Sequence, residues 1–403
     1  MNTTRKEQLV IVGGGMAAGR LVTRLAEHAY DGEITLVCKE PIGPYNRVLL
    51  PDLVGASCAE ESLAFHDPEW YANNSITLRT NFEVAEVNIK TREVRSRGGG
   101  TVSFDKLVLA TGSNLSRPTV EGLALNGVTQ LRTLEDADAL QSLSNAPKRK
   151  VVVGGGLLGL ETARALQLAG NQVDLIHRGE WLLNRQIDRR AAKYVHDFIE
   201  SLGIRCHLGQ SVASVHGRRR VEAVELTSGS VIVTRTVIFA TGVQPNDRLA
   251  SEAGLSVSDG VLVDAQLRAS TEGVFAIGEC ARVTGRNFAL VEPVYRQADA
   301  LAMNLIGKAA TFAAPATATR LKVAGLPVFA VGNPEFGATG EDVLIEDPAR
   351  TIYRRLRFED GRLTYAVLLG DTTGSRCMQE CVTEGAKVGD PLALAFGQWK
   401  AAA

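Results

Sequence analysis

The sequence predicts an α/β fold with two Rossmann-like dinucleotide-binding domains and a small α+β C-terminal domain. Two observations lead to this prediction. An apolar strand runs into a glycine-rich loop at 9–19, and the same pattern returns at 150–161. Each loop is followed by a second apolar strand that ends in Ala-Thr-Gly, at 106–112 and again at 237–242. A repeated strand–loop–helix unit of this kind is typical of dinucleotide binding.

Composition excludes several other classes of protein. The chain has 403 residues, enough for two or three domains, with 44 basic against 45 acidic residues. This balance gives no electrostatic support for nucleic-acid binding. There is no run of about eighteen apolar residues, which argues against a membrane span or signal segment. Six scattered cysteines without a CxxC pair predict a reduced, cytoplasmic protein with no metal centre.

The first glycine loop has the spacing GxGxxA. One glycine, Gly13, is expected to make the turn, and Gly15 lets the backbone approach a pyrophosphate. The helix that follows offers free N–H groups to the phosphates. The residues assigned to this turn are Gly13, Gly14, Gly15, Met16 and Ala17.

Two side chains beyond the second strand complete the predicted first site. Glu40 is the acid at the end of strand 34–37, where a dinucleotide fold places a carboxylate near the adenosine ribose; a surface turn acid is the alternative. The segment Pro41–Pro51 carries three prolines and a glycine within it, so it predicts an irregular loop and no helix. Arg47 within this segment is placed to meet a flavin or a phosphate.

The second loop has the spacing GxGxxG and opens a second helix. The residues assigned to nucleotide binding here are Gly154, Gly156, Leu157, Leu158 and Gly159. The strand after it ends in His177-Arg178, where an NADH site usually has an acid and an NADPH site has a cation. The strand end therefore favours NADPH and the third loop glycine favours NADH, and the two signals leave the choice open.

Two dinucleotide units in one chain suggest a donor and an acceptor of hydride. We therefore predict a flavoprotein with FAD on the first loop and NAD(P)H on the second. No cysteine pair lies where it would face the flavin, which argues against disulfide reduction. Strand 273–277 ends in Gly278-Glu279, and this carboxylate can accept a hydrogen bond from the ribityl chain of FAD.

The repeat also predicts where the domains end. The FAD-binding domain is expected to be discontinuous, 1–118 with 247–312, and the NAD(P)-binding domain to be 119–246. From residue 320 the pattern changes to alternating strands with a hairpin turn at 359–362, which predicts a C-terminal domain at 320–403.

With these motifs in family order, the chain resembles the pyridine nucleotide-disulfide oxidoreductase superfamily. It is most similar to the flavoprotein part of NAD(P)H nitrite reductase large subunits, to assimilatory nitrate reductase electron-transfer subunits and to rubredoxin reductases. The stretches that carry the resemblance are 44–48, 154–161, 276–280 and 321–325. The resemblance implies FAD positions at Thr111 and Gly112 and nicotinamide-nucleotide positions at Gly242 and Glu161.

The resemblance also implies a catalytic role for Glu161, since family members place a carboxylate near the nicotinamide carboxamide. Its alternative role is that of an acid near the N-terminus of a helix, where it complements the helix dipole. His177 replaces the usual acid of the family, so the resemblance does not decide between NADH and NADPH.

The resemblance implies an oxidoreductase that hands electrons to a separate protein, because the iron–sulfur and siroheme modules of complete nitrite reductases are missing from this sequence. We expect a partner in nitrate or nitrite assimilation, with a rubredoxin or ferredoxin as the alternative. Similar proteins often form homodimers through the C-terminal domain. A redox sensor that binds both nucleotides without turnover is the alternative from a different class.

Overall fold

The computed structural model describes residues 5–116, 118–144, 149–314, 318–333 and 340–398. Within these residues, the helices are α1 (Met16–Glu27), α2 (Leu50–Val54), α3 (Pro68–Asn73), α4 (Leu134–Ser144), α5 (Leu157–Leu168), α6 (Arg189–Ser201), α7 (Arg248–Glu252), α8 (Val291–Leu305), α9 (Ser375–Glu384) and α10 (Pro391–Ala395). Short 3₁₀ turns lie at Arg47–Leu49, Glu60–Leu63, Gly278–Cys280 and Pro348–Arg350.

The strands of the first half are β1 (Glu7–Val12), β2 (Gly32–Val37), β3 (Ile76–Arg79), β4 (Val84–Asn88), β5 (Glu93–Ser96), β6 (Thr101–Ser103), β7 (Lys106–Leu109), β8 (Ser113–Leu115), β9 (Val128–Thr129), β10 (Arg149–Val153), β11 (Gln172–His177) and β12 (Ile204–Leu208). Those of the second half are β13 (Val212–Gly217), β14 (Val221–Leu226), β15 (Val231–Val233), β16 (Thr236–Phe239), β17 (Val243–Pro245), β18 (Val261–Val263), β19 (Val274–Ala276), β20 (Ala281–Val283), β21 (Arg286–Asn287), β22 (Ala318–Val323), β23 (Leu326–Gly332), β24 (Glu341–Asp347), β25 (Ile352–Glu359) and β26 (Arg362–Leu369).

The described residues form two compact units. The first unit contains the chain up to Leu49, Ala59–Ser116 and Val243–Ala314. The second contains Leu50–Cys58, the described residues between 118 and 242, and those between 318 and 398, which are called the C-terminal segment below. The domain boundaries drawn from the sequence (1–118 with 247–312, 119–246 and 320–403) stay predictions.

The first unit is built on a parallel sheet in the order β3-β2-β1-β7-β19. Central strand β1 is buried on both faces, with Leu9 and Val10 on opposite faces almost fully shielded from solvent, as expected for a parallel strand covered by helices. Helix α1 buries one apolar face, which includes Leu21 and Leu25, and packs beside α8. This order, with its reversal at β1, is that of a Rossmann fold.

The second unit repeats the arrangement. Its parallel sheet has the order β12-β11-β10-β16-β9, and an antiparallel meander of β13, β14 and β15 accompanies it. The C-terminal segment forms an antiparallel sheet in the order β22-β23-β26-β25-β24, against which α9 packs through Met378 and Cys381. The predicted fold class is therefore confirmed, including the separate strand pattern that begins near residue 320.

A buried polar cluster joins α6 to the C-terminal sheet within the second unit. Asp188 caps α6 by accepting hydrogen bonds from the backbone N–H groups of Arg190 and Ala191. The hydroxyls of Tyr353 and Tyr365 donate to the same carboxylate at 3.2 and 3.4 Å. These contacts connect the start of α6 to β25 and β26. They are needed because a buried carboxylate without hydrogen-bond partners would destabilise the fold.

The segment Pro41–Pro51 differs from its prediction. A 3₁₀ turn begins at Arg47 and leads directly into α2, so the expectation of an irregular loop was wrong for the end of this segment. Proline breaks helices only in their interior. Pro51 lies in the first turn of α2, where its missing N–H breaks no helical hydrogen bond.

Candidate functional site

The first glycine loop lies between β1 and α1, at the carboxyl end of the sheet of the first unit. Gly13 has a φ of +128°, and a Cβ there would lie 2.1 Å from the carbonyl oxygen of Ala110. A Cβ on Gly14 would press on the sulfur of Cys38 at 2.8 Å. Glycine at both positions is therefore required by the packing of the protein itself.

Gly15 is different from its two neighbours. Its φ of −98° suits any residue, and the nearest atom to a Cβ there is the Arg47 Nε at 3.9 Å. As N-cap of α1 it offers no side-chain acceptor to the first turn, which contains Met16 and Ala17. The open space and the unclaimed N–H groups fit the pyrophosphate of a dinucleotide.

The second loop repeats this geometry between β10 and α5. Gly154 has a φ of +126°, and a Cβ there would lie 2.2 Å from the carbonyl oxygen of Ala240. Gly159 faces the loop so closely that a Cβ would lie 1.7 Å from the Gly154 oxygen. A Cβ on Gly156 meets no described atom within 4 Å. The first turn of α5, which begins with Leu157 and Leu158, is again open to an anion.

Glu40 and Arg47 form an ion pair in the first unit. The guanidinium donates to one carboxylate oxygen, and the hydroxyl of Tyr45 donates to the other at 2.7 Å. The guanidinium also lies over the Tyr45 ring, 4.7 Å from its centroid. Both predicted residues are thus brought together, and Tyr45 is a member of the cluster that the sequence did not reveal.

The Ala-Thr-Gly turn of the first unit is hydrogen-bonded to Asn246, the residue directly after β17. The Thr111 hydroxyl donates to the carbonyl oxygen of Asn246 at 2.7 Å, and the Asn246 N–H donates to the Gly112 oxygen at 2.9 Å. Gly112 has a φ of +67°, which favours glycine. In the second unit the matching Gly242 has a φ of +109° and no described atom within 4 Å of a Cβ.

Two polar contacts fix the turn after β19, one at Glu279 and one at the backbone of Gly278. The Ser113 hydroxyl donates to Glu279 Oε2 at 2.7 Å. The fully buried Gln297 accepts the Gly278 N–H at 2.7 Å, and Gly278 has a φ of +84°. Ser113 and Gln297 were missed from the sequence. The position of Ser113 directly after the Ala-Thr-Gly turn was the signal that could have found it.

The end of β11 separates its two basic residues. His177 is buried and its Nδ1 accepts the Gly155 N–H at 3.1 Å, whereas Arg178 is exposed. Burial lowers the pKa of His177, and its Nε2 is buried without a hydrogen-bond partner among the described residues. The imidazole is therefore neutral at pH 7, and the cation available at this strand end is Arg178.

Glu161 lies in the first two turns of α5, partly buried. Burial raises its pKa from the usual value near 4.5 to about 7, and the negative charge of Asp52 adds to the rise. Asp52 belongs to α2, which packs on α5, and Gly55 directly after α2 lies against Ala165. The carboxyl group therefore changes its charge close to neutral pH.

The thiols near the first loop are shielded from solvent. Burial raises the pKa of Cys38 to about 12, and Cys280, which is fully buried, also has a raised pKa. Buried thiols with raised pKa values are poor nucleophiles. All six cysteines are free in the described structure.

No described helix has the length and apolar character needed to cross a membrane.

Two Rossmann sheets, each with an open glycine turn at the head of a helix, define a protein with two dinucleotide-binding folds. The family model described as pyridine nucleotide-disulphide oxidoreductase matches residues 7–300, and that of the rubredoxin NAD+ reductase C-terminal domain matches 317–386. The chain belongs to the pyridine nucleotide-disulphide oxidoreductase family, as its motifs predicted.

Three similar proteins illustrate the family. The chain is 32% identical over 372 residues to the assimilatory nitrate reductase electron transfer subunit of Bacillus subtilis (strain 168), covering 91% of this chain and 48% of that protein. It is 30% identical to the ferredoxin reductase component of chlorobenzene dioxygenase from Cupriavidus sp. (strain PS12), covering 96% and 95%. The putidaredoxin reductase–putidaredoxin complex superposes with a TM-score of 0.88 at 25% identity, covering 97% and 96%.

The predicted superfamily, the oxidoreductase class and the cofactors of the family, FAD and NAD(P)H, are confirmed by these matches. The chain spans about half the length of the Bacillus subtilis relative. The role of each site residue and the identity of the electron acceptor stay predictions.

Proposed function

We propose that this chain is an NAD(P)H-dependent flavoprotein reductase that passes electrons to a separate redox protein. The observation that supports this most directly is the pair of matching turns at Gly15 and Gly156. At both glycines the space that a side chain would occupy is open. Each glycine is the N-cap of a helix whose first turn has no side-chain cap. Bound FAD would supply the chemistry, since it can take a hydride from NAD(P)H and release single electrons.

The residues of the first unit would bind and orient FAD. The loop from Gly13 to Ala17 would receive the pyrophosphate, and Glu40, held by Arg47 and Tyr45, would meet the adenosine ribose. Glu279 would accept from the ribityl chain, with its position fixed by the hydroxyl of Ser113. These residues would position the FAD, and no side chain needs to exchange a proton in the hydride step.

The residues of the second unit would bind NAD(P)H. Gly154, Gly156 and Gly159 would cradle the pyrophosphate, and the carboxyl of Glu161 would hold the nicotinamide carboxamide. We propose a preference for NADPH, because Arg178 is exposed at the end of β11 and can pair with a 2′-phosphate.

For the acceptor, we propose a reductase of nitrate or nitrite assimilation. The supporting observation is the similarity, over 91% of this chain, to the electron transfer subunit of an assimilatory nitrate reductase. A ferredoxin-type protein is the second candidate, supported by the match to putidaredoxin reductase over nearly the whole of both chains. A rubredoxin is a third acceptor to test, because of the matching C-terminal family model. A cytoplasmic location and a homodimer stay predictions.

The experiment that tests this function is an acceptor assay. The FAD-loaded protein is mixed with NADPH or NADH and with one acceptor at a time: a [2Fe–2S] ferredoxin, a rubredoxin or an assimilatory nitrate reductase catalytic subunit. We expect catalytic reduction of one acceptor, dependent on both FAD and the nicotinamide nucleotide. If the flavin is bound but no acceptor is reduced above the rate with free FAD, the sensor alternative gains support and the reductase proposal fails.

A further inference from the structure

A cluster of three metal-binding side chains lies on the outer part of the second unit. A nitrogen of His196, a carboxylate oxygen of Glu200 and the sulfur of Cys206 lie within 4.8 Å of one another. His196 and Glu200 are four residues apart on α6 and so share one face of the helix, and Cys206 lies on β12. Strand β12 is two strands away from β10, which leads to the glycine loop, so the cluster is separate from the nucleotide site.

The local structure holds the carboxylate beside the thiol. Glu200 Oε1 accepts the backbone N–H of Cys206 at 2.6 Å, which fixes the end of α6 against the middle of β12. His196 and Cys206 are partly buried and Glu200 is exposed, so an ion could enter from solvent. The cluster therefore combines fixed donors with an open path, as a metal site requires.

The imidazole of His196 has a carboxylate behind it. Its Nε2 lies 3.9 Å from Glu200 Oε1, on the side of the cluster, and its Nδ1 lies 3.5 Å from Asp197 Oδ1. Asp197 in turn accepts a hydrogen bond from Lys193 at 2.6 Å. A carboxylate that accepts a hydrogen bond from the far nitrogen orients the ring and makes the near nitrogen more basic, as around zinc-binding histidines. Asp197 lies at the outer limit of that contact and would need to move closer to make it.

We propose that His196, Glu200 and Cys206 bind Zn²⁺, with a water molecule in the fourth position. Imidazole nitrogen, carboxylate oxygen and thiolate sulfur are the three donor types that zinc takes from proteins. Tetrahedral coordination, with Zn–S of about 2.3 Å and Zn–N of about 2.0 Å, separates donors by about 3.5 Å. Closing the present spacing by about 1 Å is within the reach of side-chain rotation.

Binding requires one covalent change, which balances without an oxidant or a reductant. The S–H bond of Cys206 breaks, its proton passes to solvent, and the electron pair left on sulfur forms the bond to zinc. The thiolate and the Glu200 carboxylate together neutralise the charge of the ion. One proton is released for each Zn²⁺ bound.

The test uses the full chain loaded with FAD, freed of metal with a chelator and titrated with Co²⁺ alone. Tetrahedral Co²⁺ with a thiolate ligand absorbs at longer wavelengths than oxidised flavin, so its bands can be read in difference spectra. We expect one equivalent of Co²⁺ to produce these bands and one equivalent of Zn²⁺ to remove them. An absence of the bands at stoichiometric Co²⁺ overturns the proposal.

Variants assign the ligands. We expect Cys206→Ser to abolish the cobalt bands and His196→Ala to weaken Zn²⁺ binding at least about tenfold. We expect Asp197→Asn to weaken it by about 10- to 100-fold through the imidazole. The matched control is His216→Ala, since His216 lies 2.9 Å from Glu225 Oε2 in an exposed pair with no cysteine, and it should change nothing.

Two results would contradict the assignment of ligands: cobalt bands that persist in Cys206→Ser, or equal weakening by His196→Ala and His216→Ala. If Cys206→Ser does not fold, His196→Ala still decides, because His196 is only partly buried and its loss leaves the core intact. The readout is metal binding, so failure of the reductase proposal would leave this test unaffected.

Discussion

His177 Nδ1 accepts the backbone N–H of Gly155 at a distance of 3.1 Å. The end of β11 therefore supports the second glycine loop through this hydrogen bond. The imidazole is buried and must be neutral to accept this hydrogen bond. The loop conformation is therefore linked to the protonation of one side chain.

This relationship predicts a loss of stability in acid. Burial lowers the folded-state pKa of His177 below its usual value near 6.5, so the unfolded chain binds the proton more readily. The contribution of His177 is present above pH 6.5 and is lost as the pH falls through the lower folded-state pKa. We expect His177→Asn, whose amide oxygen can replace Nδ1, to remove this pH dependence in thermal unfolding.

His177→Ala should instead cost about 1–3 kcal/mol at pH 7, because the buried Gly155 N–H is left without its acceptor. Identical midpoints for the Ala and Asn variants would show that the hydrogen bond to Gly155 does not matter.

Arg178 is predicted to select the nicotinamide nucleotide. Arg178→Ala should weaken NADPH binding by about 10- to 100-fold, as expected for a charge-assisted contact to a phosphate, and should leave NADH binding within about twofold. Arg189→Ala, which replaces another exposed arginine at the start of α6, is the matched control. The dissociation constants of NADPH and NADH for each variant are measured by titration calorimetry. Equal losses for NADPH and NADH would rule out a contact with the 2′-phosphate.

Glu161 is predicted to destabilise the protein when it ionises. Its folded-state pKa of about 7 lies above the usual 4.5, so its contribution to stability is complete below pH 4.5 and is lost as the pH rises through 7. The difference corresponds to at most about 3 kcal/mol. We expect Glu161→Gln to raise the unfolding midpoint at pH 8 and to leave it nearly unchanged at pH 4.5.

The control for this effect is Asp52→Asn, which removes only the smaller electrostatic cause and should give a smaller rise at pH 8. A gain from Glu161→Gln that is the same at both values of pH would mean that ionisation is not its source.

Two glycines of the second loop are predicted to separate folding from binding. Gly156→Ala meets open space at a φ that suits alanine, so the variant should fold with an unchanged midpoint but bind NAD(P)H at least about tenfold more weakly. Gly154→Ala should lower the midpoint itself, because its Cβ would strike the Ala240 oxygen. An unchanged affinity of the Gly156→Ala variant for NAD(P)H would show that the pyrophosphate does not bind at this turn.

Much of the fold could be predicted because parallel strands and glycine turns have strong local patterns. β1 ends in the apolar run 9–12 and β10 in the apolar run 151–153, and the positive φ of Gly13 and Gly154 leaves little choice of residue. The first turn of α2 escaped prediction because Pro51 suggests an irregular loop unless its place in the helix is known.

The contacts between distant segments could not be predicted in the same way. Ser113 and Glu279 are 166 residues apart, and no spacing rule connects them. The burial of His177 likewise depends on the side chains packed around the strand end, which the sequence pattern does not specify. The sequence therefore predicted which residues lie at the turns better than it predicted what each side chain contacts.

The proposed function requires that this chain pass a hydride from NAD(P)H to its own FAD. The most direct measurement is anaerobic rapid mixing of the FAD-loaded protein with NADPH and with NADH, followed at the flavin absorbance. We predict loss of the oxidised flavin absorbance within one turnover, faster with NADPH than with NADH, and slowed in Gly156→Ala. A chain that binds no FAD, or whose bound FAD stays oxidised with both nucleotides, would contradict the claim.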